Sequence, residues 1–363
     1  MRPLLVLAFF SEIASGEQRS VLSVPTGPFS VGRVIYQWAD NKRSEQLHPT
    51  GNRELMIQIW YPAQREPSAL ASSYLPKLSV LQSALGEEAL RKEFGKRYEE
   101  VSALRTHAAE SAPFARMKSR CPVLLFLPGL GDGAYAYTAQ LEEYASHGYV
   151  VVAINPTSEV FGVVLSGDRA VSLSVQGWDS ARTKGVAEEY FSFERQRMAV
   201  WAHDAAFVVD RLMLLNREAQ HLLAGHLDMS RLGIFGHSAG GKAAGLACLS
   251  DSRFKACANQ DGITADNPFV SEAAPSQAFL FIHVSRPPPI MPTDEQFKQV
   301  KMTRADFDRQ RRLANTALQR VRSGAYEVIL QMPGVDHGSF SDIHLFAGNE
   351  AERKAHAQTT QFI

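Results

Sequence analysis

The sequence has no surplus of charge. Lysine and arginine together number 38, as do aspartate and glutamate, so the formal net charge is zero. No basic field exists to draw in nucleic acid or an anionic membrane surface. Cysteine is scarce: Cys121, Cys248 and Cys257 are the three in 363 residues. That is too few and too scattered for a disulfide framework or a zinc site. Cys248 and Cys257 lie in apolar stretches and read as small buried hydrophobes. Nowhere does an apolar run approach the ~18 residues of a membrane span. What the chain does have is apolar content, 45% hydrophobic, enough to bury a large core.

The first residues run Met1-Arg2-Pro3, then an apolar run over 4–10, then Ser11-Glu12-Ile13-Ala14-Ser15-Gly16. This is the order of a secretory signal, with a short apolar run and an ill-placed Glu12; a strand-like or disordered terminus is the other reading. Residues 1–16 are thus expected to be a signal peptide or its remnant, and 17–363 a single domain. Secreted or periplasmic placement follows from the first reading, cytoplasmic from the second.

Residues 30–38 and 54–61 alternate apolar and polar side chains across a polar loop, predicting an antiparallel strand pair at a sheet edge. Residues 79–104 carry a charged helical pattern and read as a surface helix. The rhythm then changes. Residues 122–127 and 149–154 are apolar throughout, as strands buried on both faces are. Further strands are expected at 231–235, 254–258, 279–284 and 326–332, with helices over 135–146, 195–215 and 293–322, the last opened by the capping box Thr293-x-x-Gln296. Strands alternating with helices predict an α/β fold with a mainly parallel, doubly covered sheet. The stretch 155–190 breaks the alternation. A long insertion after a strand's carboxyl end lies over the ligand crevice of such a sheet, so it reads as a lid, with Phe161 and Val164 in its apolar patch as substrate wall.

The stretch that organises the chain is Gly236-His237-Ser238-Ala239-Gly240-Gly241, entered from an apolar run and followed by a small-residue helix. A strand turning sharply into a helix puts the serine at the apex, and its neighbours must be small. The Ala239 N–H then sits at a helix start, aimed at an oxyanion formed beside Ser238. A second donor is expected in the loop Pro128-Gly129-Leu130-Gly131, with Leu130 the candidate.

A serine nucleophile needs a base and the base an orienting acid. His337, in the loop Pro333-Gly334-Val335-Asp336-His337-Gly338 just after the last strand, is the candidate base; His283 sits mid-strand and reads as structural. For the acid, the turn after the 279–284 strand offers only Ser285-Arg286-Pro287-Pro288-Pro289. One strand earlier, Asp261 stands at a strand end and is preferred, with Asp294 second and Asp336 too close in sequence to His337.

With these pieces placed, the chain resembles the platelet-activating factor acetylhydrolase family, the plasma and intracellular type II branch of the α/β-hydrolases. The resemblance rests on Pro28-Phe29-Ser30-Val31-Gly32 with Ile57-Gln58-Ile59-Trp60-Tyr61-Pro62-Ala63, on Phe126-Leu127-Pro128-Gly129-Leu130-Gly131, on Gly236-His237-Ser238-Ala239-Gly240-Gly241, on Phe254-Lys255-Ala256-Cys257-Ala258-Asn259-Gln260-Asp261, and on His337-Gly338-Ser339-Phe340-Ser341-Asp342. It implies an α/β-hydrolase fold with antiparallel N-terminal strands and an acid after the earlier strand, in agreement with Asp261. The chain departs from the family pattern at Pro128-Gly129, where His-Gly is usual, and at Ala239, where a bulky aromatic residue is common. The expected activity is serine ester hydrolysis on a small-molecule ester, short-chain or lipid-like, with Ser238, His337 and Asp261 as triad and no metal or organic cofactor. Acyl transfer to an alcohol and a non-catalytic binding protein on the same fold are the alternatives. The sequence gives no oligomeric state.

Overall fold

Two runs with no polar face, 121–127 and 150–155, can be satisfied only by cover on both sides, and they form the middle of the sheet. The computed structural model describes residues 21–47, 51–65, 70–171, 173–174, 178, 187–262, 276–286, 293–299, 302–324 and 326–362. The expected signal segment 1–16 lies outside these, as does part of the expected lid.

β1 (Ser30–Ser44) and β2 (Asn52–Ala63) form an antiparallel pair. Then come β3 (Ala71–Ser73), the helices α1 (Leu78–Leu85), α2 (Glu87–Phe94) and α3 (Tyr98–Ala103), and β4 (Arg105–Glu110). β5 (Cys121–Leu127), α4 (Thr138–Ser146) and β6 (Val150–Asn155) follow, and a short hairpin of β7 (Val163–Leu165) and β8 (Arg169–Val171). The long α5 (Ala187–Leu215) leads to β9 (Leu227–His237), α6 (Ala239–Ser250), β10 (Ala256–Gln260) and β11 (Ala278–Val284). The chain closes with α7 (Asp294–Gln299), α8 (Arg304–Gly324), β12 (Tyr326–Leu330), α9 (Ile343–Ala347) and α10 (Glu350–Phe362).

The large sheet has ten strands in the order β12-β11-β10-β9-β5-β6-β2-β1-β4-β3. From β12 to β6 neighbouring strands run parallel, and β2 pairs antiparallel with β6. α4 packs on β1, β2 and β6, and α6 on β5, β9 and β10. β6 is buried at every position. The chain passes from β5 to β6 on one side and later returns to β9 on the other side of β5. The carboxyl ends of β5 and β9 therefore flank the switch point where open α/β sheets bind ligands.

The structure corrects the sequence reading in five places. β1 and β2 are not the edge, because β4 pairs parallel with β1 and β3 antiparallel with β4. The helical stretch 79–104 is broken at Gly86 and Gly95, whose φ of 84° and 56° a continuous helix cannot hold. It is also more than a surface helix, since Leu81, Leu90, Phe94, Tyr98 and Val101 are buried. The 293–322 helix is two, α7 and α8. Cys248 and Cys257 are joined in a disulfide, since the last turn of α6 and the start of β10 bring their Cα atoms within 6.3 Å. Val164 lies in the core rather than on a substrate wall: it is fully buried in β7, with its N–H 3.4 Å from the Met56 sulfur of β2.

Candidate active site

β9 passes into α6 through a single residue. Ser238 has φ 55° and ψ −118°, a strained conformation, and is half-buried. Small neighbours make the turn feasible. A Cβ on Gly240 would fall 2.0 Å from the Leu127 carbonyl oxygen, and one on Gly236 2.4 Å from the Gly240 carbonyl. The Ser238 N–H is committed to the Gln260 carbonyl at 2.9 Å, which ties the apex to the end of β10. Ala239 opens α6, where N–H groups have no partner within the helix.

The loop after β5 lies against the serine: a Cβ on Gly129 would be 3.6 Å from the Ser238 Cβ. Its donors are accounted for. Gly129 N–H donates to the Tyr137 hydroxyl at 2.9 Å, and Gly131 N–H to the Glu159 carbonyl at 2.9 Å. Between them, the Leu130 N–H has no partner among the described residues. The loop is clasped from behind by the strap 156–161, since Phe161 N–H donates back to the Gly131 carbonyl at 2.9 Å. A buried ionic cluster anchors the strap. Arg197 forks onto both carboxylate oxygens of Glu159 at 2.7 Å, and Trp201 Nε1 adds a third donor at 2.7 Å. Arg53 donates to the Thr157 carbonyl at 3.2 Å and pairs with Asp204 and Glu45. Phe161 itself is buried beside the loop, its ring edge-on to Phe94 of α2 at 5.4 Å. The helical excursion α1–α3 thus reaches the site's flank. No sequence signal marks this, since Phe94 and Arg97 stand in a charged helical pattern.

Asp261 follows β10 directly, with φ 57°. Its N–H donates to the Ile282 carbonyl at 2.7 Å. His337 Nδ1 lies 2.6 Å from its Oδ2, while Oδ1 accepts from Val284 N–H at 3.2 Å and from Arg286 at 2.8 Å. A second Arg286 nitrogen also reaches Oδ2. Burial by itself would raise the carboxyl pKa; the hydrogen bonds and charges of His337 and Arg286 outweigh it and hold the group below its ordinary value. The Asp261 side chain is fully buried, whereas His337 and Arg286 are 47% and 53% exposed. Arg286 carries no signal of its role in the sequence, because its turn holds no carboxylate of its own. The proline run hid a guanidinium that serves the acid one strand away.

The other candidates sit elsewhere. Asp294 is exposed at the start of α7. Asp336 accepts from His344 Nε2 at 2.6 Å and caps the short turn His337–Phe340. His283 pairs with Glu327 across β11 and β12 at 2.9 Å, a strand-face contact. Asp132, at the end of the loop after β5, is pushed up to about 6 by burial and by the nearby Glu93, with Arg97 and His337 pulling the other way.

Comparison with known proteins agrees with this architecture. A ferulic acid esterase from Streptomyces cinnamoneus has the same fold, with a TM-score of 0.66 at 22% identity over 94% of this chain and 90% of that one. The chain has the α/β-hydrolase fold. More narrowly, part of the chain is similar to platelet-activating factor acetylhydrolases. Residues 14–161 match the family model "Platelet-activating factor acetylhydrolase, isoform II". The platelet-activating factor acetylhydrolase of Cavia porcellus is 24% identical over 248 residues, 63% of this chain. The match spans about half of that relative, 52% of its length. The family match includes the 128–133 loop and stops before the serine turn.

Proposed function

We propose that the chain is a serine carboxylic ester hydrolase working through an acyl-enzyme. Ser238 attacks the ester carbonyl, and His337 takes its proton and passes it to the departing alkoxide. Asp261 accepts the Nδ1–H, fixing the tautomer and stabilising the imidazolium. The Leu130 and Ala239 N–H groups bind the oxyanion. Water then attacks the acyl-enzyme, His337 takes its proton, and Ser238 leaves with that proton. The observation that carries this reading is the 2.6 Å contact between His337 and a buried, ionised Asp261, beside a serine held at positive φ.

Short-chain or lipid-like esters are the substrates we infer, on the likeness to platelet-activating factor acetylhydrolases and the aromatic pair Phe94–Phe161 beside the loop. The Cys248–Cys257 disulfide supports a secreted or periplasmic setting, where such bonds persist. No helix among the described residues is long and apolar enough to cross a membrane. The test is labelling with a fluorophosphonate, followed by peptide mass spectrometry. An adduct on Ser238, with hydrolysis of p-nitrophenyl esters, is expected. Folded protein that takes no label would contradict the reading and favour a binding protein. Product analysis with an added alcohol separates hydrolysis from acyl transfer.

A further inference from the structure

The loop facing Ser238 and the ring beneath His337 are joined through one side chain. Tyr137 is fully buried at the end of the single-turn helix Ala134–Tyr137. Its hydroxyl lies 2.9 Å from Gly129 N and 2.9 Å from His237 Nδ1. A phenol has one proton, and a backbone N–H can only donate. The hydroxyl accepts from Gly129, and His237 Nδ1 is the acceptor within reach of its own proton among the described residues, which assigns Nδ1 as that acceptor. This sets the tautomer of His237, with its proton on Nε2. Burial, then the adjacent His337, pushes the His237 pKa down to about 3, so the ring stays neutral. Burial likewise keeps the Tyr137 hydroxyl protonated.

Neutrality matters at this place. The His237 ring lies 4.4 Å from that of His337, centroid to centroid, and stacks on Phe340 at 5.4 Å. A cation there would oppose the imidazolium that His337 becomes during proton transfer. The same hydroxyl occupies the Gly129 N–H, and Glu159 occupies that of Gly131. The loop is thereby held with Leu130 as its donor without a partner among the described residues.

We propose that Tyr137 and His237 are positioning residues: the relay from Gly129 N–H through the Tyr137 hydroxyl to His237 Nδ1 fixes the oxyanion loop and the bed of the catalytic histidine together. This rests on the ester-hydrolase reading. Neither side chain reacts; both act through groups that do. The effect belongs in kcat and in the affinity for tetrahedral mimics, and little of it in KM.

The test uses the full chain with p-nitrophenyl acetate and a trifluoromethyl ketone inhibitor. Tyr137→Phe should lower kcat by roughly tenfold to a hundredfold, with KM nearly unchanged, and weaken the ketone in proportion. His237→Asn, whose amide oxygen can stand in for Nδ1 as acceptor, should stay within about tenfold of wild type; His237→Leu should fall as far as Tyr137→Phe. Unchanged kcat and ketone affinity in Tyr137→Phe would overturn the proposal. So would a loss of kcat with ketone affinity intact, the pattern of a merely structural role. If Tyr137→Phe does not fold, the two His237 variants decide, and equal activities overturn it. A wild type that takes no fluorophosphonate label and cleaves no ester overturns the hydrolase reading and the relay with it; an active wild type beside an indifferent Tyr137→Phe overturns the relay alone.

Discussion

The two flanks of Ser238 are built on opposite principles. On one side, the loop after β5 is backed by the strap 156–161 and a buried cluster of Arg197, Glu159, Trp201, Arg53 and Asp204, all within 5% of full burial. On the other side, His337 and Arg286 stand about half exposed over the buried Asp261. On the proposed mechanism the first flank presents dipoles that hold still as charge develops, and burial with the Arg197–Glu159 fork favours that. The second, on the same proposal, exchanges protons with substrate and water, and its histidine faces solvent while its carboxylate does not. The contrast says which substitutions should cost stability and which should cost only turnover.

The largest effect is expected at the shared apex. Ser238→Ala should lower kcat by about 10⁴-fold or more with the thermal midpoint nearly unchanged, since triad members act as a unit. Steady-state kinetics on a p-nitrophenyl ester checks it; turnover near wild type would remove the nucleophile from the account.

The buried flank should break in the opposite way. Glu159→Gln leaves the Arg197 guanidinium buried without its carboxylate, which should cost about 3–5 kcal/mol in denaturant unfolding. A loss well below that would mean the cluster is not what holds the strap.

On the exposed flank, Arg286→Gln should leave the fold intact and lower kcat by less than about tenfold, since water screens a half-exposed guanidinium. Its sharper signature is in pH. Arg286 helps depress the Asp261 pKa, so without it that carboxyl, followed by its 13C shift, should titrate at higher pH than in wild type. An unshifted carboxyl titration would make Arg286 a bystander.

The smallest effect concerns Asp342, buried beneath the turn that carries His337. Its Oδ2 accepts from the Tyr74 hydroxyl at 3.2 Å, and its Oδ1 lies 3.6 Å from His356 Nε2. Burial pushes its pKa up to about 7 and that of His356 down to about 4, so both are neutral between those values. A carboxyl whose pKa is higher folded than unfolded favours the fold most at low pH, and that contribution is lost as pH rises from about 4 through about 7. The wild-type advantage in thermal midpoint over Asp342→Asn should therefore shrink steadily as pH rises through this window; parallel curves would contradict the assignment.

What the sequence disclosed follows the same division. β5 and β6 were legible because a strand covered on both faces has no polar alternative, and the serine turn because its glycines have no room for a Cβ. Asp261 was legible as a carboxylate ending a strand. β3 and β4 were not, since Ala71–Ser73 and Arg105–Glu110 are short and polar and owe their state to β1. The disulfide was hidden because Cys248 and Cys257 meet only once α6 and β10 fold back on each other. Arg286, the strap cluster and Tyr137 escaped for one reason. Each acts through a partner far along the chain, and a single sequence carries no sign of which charge or hydroxyl meets which.

The central claim is that Asp261, one strand before the proline run, is the acid of the triad. The direct measurement is kcat of Asp261→Asn beside Asp294→Asn and Asp336→Asn on one ester. The account predicts a fall on the order of 10⁴-fold for Asp261→Asn, less than about tenfold for Asp294→Asn, and retained turnover for Asp336→Asn. An active Asp261→Asn beside an inactive Asp294→Asn or Asp336→Asn would contradict it.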